Sequence, residues 1–312
     1  MVKKTLGNNN ELEVSTLCHG TDHFGSRVDY ETSTAILDRY VAAGENFLDT
    51  SNFYAAWIEG FKGGESETLI GKWIKERKNR DQLIIATKVG VPYQDVPMGA
   101  KAKIIEMEAE KSLKRLGIDT IDMYYTHLDD RSTPFEEQLE AMDKLVKAGK
   151  VRCIGACNIL AWRLEEARNV SLSNGFPLHS CVEQRYTYLR PKVNANFGGQ
   201  VSTNSDLLDY CRSRNLQLIA YSPLLHGAYM RNDRPLPPQY QHADSDVRME
   251  ALKAVAEELN ATLNQIVIAW LMHQNIIPII GASRVEQIEQ NLGCLDINLT
   301  EAQMKTLNRA GI

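Results

Sequence analysis

Four residues that close apolar runs could do acid–base chemistry together if the fold brings them to one place. Asp49 ends Phe47-Leu48-Asp49, and Tyr54 follows it five positions later; Lys88 ends the run 83–88 and His127 the run 121–127. A tyrosine hydroxyl, with a reference pKa of about 10, is too weak an acid to help much near neutrality. An ammonium beside it stabilises the phenolate and lowers that value, and a carboxylate beside the lysine keeps the lysine charged and in place. Asp49, Tyr54 and Lys88 supply those parts of a proton-donating site. His127 would orient the acceptor oxygen or share the proton. Each residue also has an ordinary structural role: Asp49 and Lys88 as an ion pair at a strand end, His127 as a core histidine, Tyr54 packed on Phe53 and Trp57.

The elements that must position them alternate. Apolar runs at 12–18, 46–49, 83–88, 121–127, 151–157, 180–184, 216–221 and 276–280 are each followed by a stretch of helical period. Helices are expected from a cap at Thr32 or Ser33 to Gly44, from 64–67 onward, and over 102–116. Another starts with Thr133 as cap, Pro134 at the first helical position and Glu136 at the third. Further helices are expected at 160–174, 205–213, 246–259, 263–273, 284–292 and 301–310, with a long connection at 185–203 and a Pro-rich loop at 223–245. Apolar strands alternating with helices mean a parallel sheet covered by helices. Eight such units predict a closed (β/α)8 TIM barrel of the α/β class, one domain over 1–312. An open doubly wound sheet is the competing fold, but none of the twenty glycines falls in a Gly-x-Gly arrangement, so its dinucleotide fingerprint is absent.

A barrel's active site lies at the C-terminal ends of its strands. There the sequence places Gly20 and Thr21, Asp49, Lys88, His127, Asn158, Gln184, Tyr221 and Ser222, then Gly281 and Ser283. A net charge of −5 without a Lys/Arg block argues against nucleic acid as a partner. Residues 1–8 lack the apolar run of a signal peptide, and no stretch is long enough to span a bilayer, so no membrane is expected and the chain reads as cytoplasmic. The six scattered cysteines form no Cys-x-x-Cys pair and are expected as reduced thiols.

Asp49-Thr50-Ser51-Asn52-Phe53-Tyr54, Ala86-Thr87-Lys88 and Tyr125-Thr126-His127 resemble the catalytic tetrad segments of the aldo-keto reductases. Gly64-Glu65-Ser66-Glu67, Ser112 to Gly117, Gly149-Lys150-Val151-Arg152, Ala220-Tyr221-Ser222-Pro223-Leu224 and Gly281-Ala282-Ser283 through Asn291 match that family in order, so the resemblance covers nearly the whole chain. The chain stops just after its last helical stretch, which resembles the bacterial-type members with a short C-terminal tail. The resemblance implies a (β/α)8 barrel that reduces a small-molecule aldehyde or ketone with a nicotinamide cofactor. By position, Tyr54 is the general acid, Lys88 and Asp49 tune it, and His127 orients the carbonyl. Asn158 and Gln184 would bind the carboxamide, Tyr221 would stack on the nicotinamide, and Ser222, Leu224 and Gly227 would lie along the pyrophosphate. Ser283, Arg284, Gln287 and Asn291 would take the adenosine end, with Gly20, Thr21, Gly281 and Gln290 as further cofactor contacts. Two departures stand out: Cys157 where the family usually has serine, and Gln290 where it commonly has glutamate.

Ser283 and Glu286 have capping-box spacing, and Arg284 falls in the expected first turn, where the helix dipole disfavours a cation. An arginine there points to a nearby anion, and helix N-termini bind phosphates. Ser283 and Arg284 are therefore expected to hold a 2′-phosphate, making NADPH the preferred cofactor over NADH. His19, Trp57 and Asp129 are expected at the substrate pocket; polar residues near it favour a hydroxylated, sugar-like carbonyl. Three other readings compete: a cofactor-loaded regulatory or sensor barrel without significant turnover, a lyase using Lys88 as a Schiff base, and a metal hydrolase on His127, Asp129 and Asp130. Asp49 would raise the Lys88 pKa, against the lyase, and the hydrolase lacks further histidines at ligand spacing, so no metal is expected.

Overall fold

The computed structural model describes residues 3–7 and 12–311; residues 1, 2, 8–11 and 312 of the expected domain lie outside the described residues. Eight parallel strands close a barrel: β3 (Cys18–Gly20), β4 (Phe47–Asp49), β5 (Ile84–Val89), β6 (Ile121–Thr126), β7 (Val151–Cys157), β8 (His179–Arg185), β9 (Gln217–Tyr221) and β10 (Ile277–Ile280), with β10 pairing back to β3. Ahead of them an antiparallel hairpin, β1 (Lys3–Leu6) and β2 (Leu12–Ser15), pairs outside the barrel. The run expected as one strand over 12–18 is thus two strands, separated by a bend at Thr16 and Leu17.

Helices α1 (Tyr30–Ala42), α2 (Glu65–Arg77), α3 (Ala102–Leu116), α4 (Phe135–Lys147), α5 (Ala161–Asn174), α6 (Ser205–Arg214), α7 (Ala243–Glu258), α8 (Leu263–His273), α9 (Val285–Leu292) and α10 (Glu301–Arg309) form the outer layer. Several helix starts differ from expectation. The cap of α1 is Asp29, whose Oδ1 accepts from Thr32 N at 2.8 Å. Pro134, not Thr133, is the N-cap of α4, and the Thr133 hydroxyl instead donates to Asp130 Oδ2. Helix α7 begins inside the stretch expected as loop, which also holds short 3-10 turns at Leu225–Gly227 and Pro238–Tyr240.

Strand parity divides the core in two. Leu48, Ile85, Tyr124, Val182 and Ala220 face the helices and pack with Ile36, Trp73 and Leu139. Phe47, Ala86, Met123, Tyr125, Cys181 and Ile219 fill the barrel interior, with Leu6, Leu12 and Val14 of the hairpin packed against its lower end. Close packing inside demands one glycine: a Cβ on Gly155 would meet Tyr125 Cε1 at 2.5 Å. All six cysteines are buried thiols in no disulfide. Among the described residues no helix is long and apolar enough to cross a membrane.

Candidate active site

The last residue of β4 and the penultimate residue of β5 both point into the barrel, because Asp49 shares parity with Phe47 and Lys88 with Ala86. Lys88 Nζ lies 2.5 Å from each Asp49 carboxylate oxygen, 3.1 Å from Thr50 O and 2.9 Å from Tyr54 OH. Tyr54, carried by the turn after β4, donates its hydroxyl to Asp49 Oδ2 at 2.9 Å. Three of the four expected catalytic groups therefore share one hydrogen-bonded cluster, and both charges in it are buried.

His127 follows β6 and closes the cluster from one side. Its ring centre lies 6.3 Å from that of Tyr54, and its Nδ1 is 3.3 Å from Ser51 Oγ. Burial, and then the Lys88 charge, hold the imidazole well below its ordinary pKa, so it is neutral at neutral pH. Burial alone would lower the Lys88 ammonium, yet Asp49, Glu183 and Tyr54 together raise it well above the ordinary lysine range. A permanently charged amine is no Schiff-base nucleophile. Burial lifts the Asp49 carboxyl and Lys88 pulls it back.

Tyr54 departs from expectation. Burial, and next the Asp49 charge, push its hydroxyl well above the ordinary tyrosine value, and the lowering by Lys88 does not offset them. Lysine proximity alone led to the opposite sign; taking the phenol out of water is the larger effect. Tyr54 is thus held as a neutral phenol.

The mouth is built from later strands. Tyr221 ends β9 and donates to Asn158 Oδ1 at 2.7 Å. The same oxygen accepts from Val201 N, and Asn158 Nδ2 donates to the His127 carbonyl, so this amide ties three segments of the rim together. Past β9, the backbone turns through left-handed residues at Ser222, Leu225, His226 and Gly227, the strained geometry that concentrates at ligand-binding loops. Leu224 lies within this turn. Gly20 pairs with Asp49, and a Cβ there would meet Ile279 Cγ2 at 2.8 Å, so only backbone is presented at that point of the floor.

At the last strand-to-helix turn, Ser283 bonds Gln287 Oε1 through both its N–H and its hydroxyl, so the Ser283–Glu286 capping box does not form. Arg284 is the N-cap of α9 in extended conformation, one position before the first turn in which it was expected. Among the described residues it has no ion-pair partner. Asn291 Nδ2 reaches back to Gly281 O at 3.5 Å, and exposed Gln290 offers only its carbonyl, to Gln265.

Three expected site residues have their polar groups buried or engaged elsewhere: His19, Thr21 and Asp129. His19 is one residue out of phase with the barrel interior and is buried between Phe24 and Tyr40 in the outer layer, with its pKa lowered to about 4 by burial. Gln184 has the outward parity of Val182; its Nε2 donates to Ile159 O, and among the described residues its buried Oε1 has no hydrogen-bond partner. The Thr21 hydroxyl is spent on Asp49 O and Ser66 Oγ. Asp129 pairs with Arg163 at 2.9 Å and with Arg131, a loop clamp and no pocket group. Trp57 does stand beside the tyrosine, its ring 6.0 Å from that of Tyr54 and 5.1 Å from that of Phe53.

Two inward residues escaped the sequence reading. Glu183 reaches within 3.5 Å of Lys88 Nζ, and the Arg185 guanidinium lies 5.5 Å from the Tyr221 ring and bonds Gln200. A charge within a buried strand was the available signal, since such a charge demands a partner.

Comparison with known proteins agrees with this geometry. The sequence model of the aldo/keto reductase family matches residues 16–312. The chain is 30% identical to the norsolorinic acid reductase stcV of Emericella nidulans, with 94% of this chain and 77% of that protein covered. It is also 30% identical to the aldo-keto reductase yakc [NADP(+)] of Schizosaccharomyces pombe, covering 98% of this chain and 90% of that one. To the uncharacterised oxidoreductase YrpG of Bacillus subtilis it is again 30% identical, over 95% and 92%. With a family match over nearly its whole length, on a closed eight-stranded barrel whose strand ends hold an Asp–Tyr–Lys–His site, the chain belongs to the aldo/keto reductase family and is an NAD(P)H-dependent carbonyl reductase.

Proposed function

We propose that the protein reduces an aldehyde or ketone to the alcohol with NADPH and that Tyr54 gives the proton. The observation that carries this is the convergence of Lys88 Nζ and Asp49 Oδ2 on the Tyr54 hydroxyl, each at 2.9 Å. When bound, the nicotinamide cofactor supplies the hydride. Tyr54, kept as a phenol by burial, gives its proton to the oxygen as negative charge builds there. The phenolate left behind sits against the Lys88 ammonium, which a buried carboxylate holds charged. His127 is neutral; in the tautomer whose Nδ1 accepts from the Ser51 hydroxyl, 3.3 Å away, its Nε2–H is free to orient the carbonyl oxygen.

The mouth residues fit a nicotinamide cofactor. Tyr221 offers a ring pinned by Asn158, Gly20 leaves a floor without a side chain, and the left-handed turn over 222–227 curves round the rim. Ser222, Leu224 and Gly227 remain the pyrophosphate candidates, with Gly281, Ser283, Gln287, Gln290 and Asn291 at the adenosine end. Arg284 no longer opposes a helix dipole from within the first turn, but its unpaired guanidinium at the start of α9 still supports a 2′-phosphate and hence NADPH. Comparable kcat/KM for NADH and NADPH, or an Arg284→Ala variant with unchanged NADPH affinity, overturns that preference.

The groups that favoured a sugar-like substrate are engaged elsewhere, His19 in the outer layer and Asp129 with Arg163. Beside Tyr54 stand Phe53 and Trp57 instead, which favour a carbonyl on an apolar or aromatic frame. The test is NADPH oxidation with a panel of aromatic aldehydes, aliphatic ketones and keto-sugars. Tyr54→Phe, which deletes one oxygen, is expected to abolish turnover while leaving the fold intact. Retained turnover refutes the proton donor, and keto-sugars as the best substrates refute the apolar frame.

A further inference from the structure

Glu183 is an acid that the proton-donating site does not require, yet it is buried against that site. It shares the inward parity of Cys181 on β8 and is 3% exposed. Its Oε2 lies 3.5 Å from Lys88 Nζ, and among the described residues no hydrogen-bond donor reaches that oxygen. Lys88 already directs its N–H groups at Asp49, Tyr54 and Thr50. Two carboxyl groups therefore face one ammonium, and the second finds the donors taken.

Arg185, two residues on along the same inward row, is the nearest other cation of its strand, and its guanidinium is turned to Gln200 and the Tyr221 ring. Asp49 faces it from β4, Tyr54 from the turn beyond, Lys88 from β5 and Tyr125 from β6. Cys18 of β3, Cys157 of β7, Cys181 of its own strand and Tyr221 of β9 complete the titratable groups around it, while β10 contributes only Ile277 and Ile279 to the interior. Burial, and then the Asp49 charge, push the Glu183 carboxyl up to about 8 against the pull of Lys88. A buried carboxyl whose Oε2 has no donor among the described residues favours its protonated form.

We propose that Glu183 is a positioning residue acting through Lys88 and Asp49: it stays protonated while reduction runs, and its ionisation at alkaline pH adds a second negative charge beside Tyr54 and turns proton donation down. With Glu183 neutral, the Asp49 and Lys88 charges cancel. Once it is ionised, the cluster carries a net negative charge, phenolate formation at Tyr54 becomes harder, and the general acid weakens. The proton leaves to solvent and no bond changes in the substrate. This rests on reading Tyr54 as the proton donor.

Two measurements test it. The first is infrared spectroscopy of the intact protein carrying carbon-13 glutamate, titrated through neutral and alkaline pH. A protonated glutamic acid band that is lost as pH rises through about 8 is expected, distinct from that of Glu45, which burial lifts only to about 7, and missing from both Glu183→Gln and Glu183→Asp. The absence of that band at neutral pH, or its persistence in both variants, overturns the proposal whatever the enzyme's activity. The second is the pH profile of kcat/KM. Wild type is expected to fall about tenfold from one pH unit below to one unit above the ionisation, and Glu183→Gln less than about twofold. Superimposable profiles overturn the proposal. If Glu183→Gln does not fold, Glu183→Asp, which keeps an acid, must still show a falling limb. Turnover in Tyr54→Phe would defeat the proton donor alone, and the infrared band would still decide whether Glu183 is protonated.

Discussion

Replacing Lys88 by methionine separates an ion pair that holds the barrel together from one that does chemistry. Lys88 is fully buried and makes four polar contacts: two to Asp49 at 2.5 Å, one to Thr50 O and one to Tyr54. Lys88→Met leaves the Asp49 charge without its cation, which costs about 3–5 kcal/mol. At roughly 2 °C per kcal/mol for a chain of this size, Tm is expected to fall by about 6–10 °C. Adding Asp49→Asn removes the stranded charge, and because uncharged replacements of a buried pair are often neutral in stability, most of that loss should return. Activity should not return. A phenolate at Tyr54 would have no ammonium 2.9 Å away, and general-acid assistance of about 10²–10⁴-fold is lost in the single and double variants alike. The assays are thermal unfolding followed by circular dichroism, and kcat/KM for NADPH oxidation with the best carbonyl from the panel. A double variant that regains wild-type kcat/KM together with its Tm would refute the reasoning and leave Asp49–Lys88 as a structural pair.

Other consequences follow from the packing and the titrating groups. Glu183 has a folded pKa raised from 4.5 to about 8, so between those values the native chain keeps a proton that the unfolded chain has lost. Stability from this group therefore falls as pH rises through that window. Glu183→Gln should gain Tm over wild type from mildly acidic to mildly alkaline pH, and a pH-independent difference would contradict the buried acid. Gly155→Ala drives a methyl group against Tyr125 and is expected to cost about 1–3 kcal/mol by overpacking; an unchanged Tm would mean that the ring moves freely. Asp129→Asn breaks a largely buried charged contact to Arg163 and should lower stability by roughly 1–3 kcal/mol with KM for the carbonyl nearly unchanged. A large rise in KM at constant Tm would return Asp129 to the pocket.

The order of elements and the meeting of the candidate catalytic residues at one mouth were legible in the sequence because their signals are local. Each apolar run is short and followed by a helical period, and eight of them leave little alternative to a closed barrel. Asp49, Lys88 and His127 are each the first group able to carry charge after such a run, so their arrival at one mouth needs only the rule that barrel strands end together. What the tertiary structure alone decided is which way single residues face. In a three-residue strand such as β3, one step of phase exchanges the barrel interior for the helix layer. That step sends His19 outward between Phe24 and Tyr40, and on β8 it brings Glu183 to Lys88. The sign of the Tyr54 shift is likewise set in three dimensions: a lysine nearby lowers a phenol's pKa, but whether burial and a carboxylate outweigh it depends on distances and exclusion of water, and spacing along a chain carries neither.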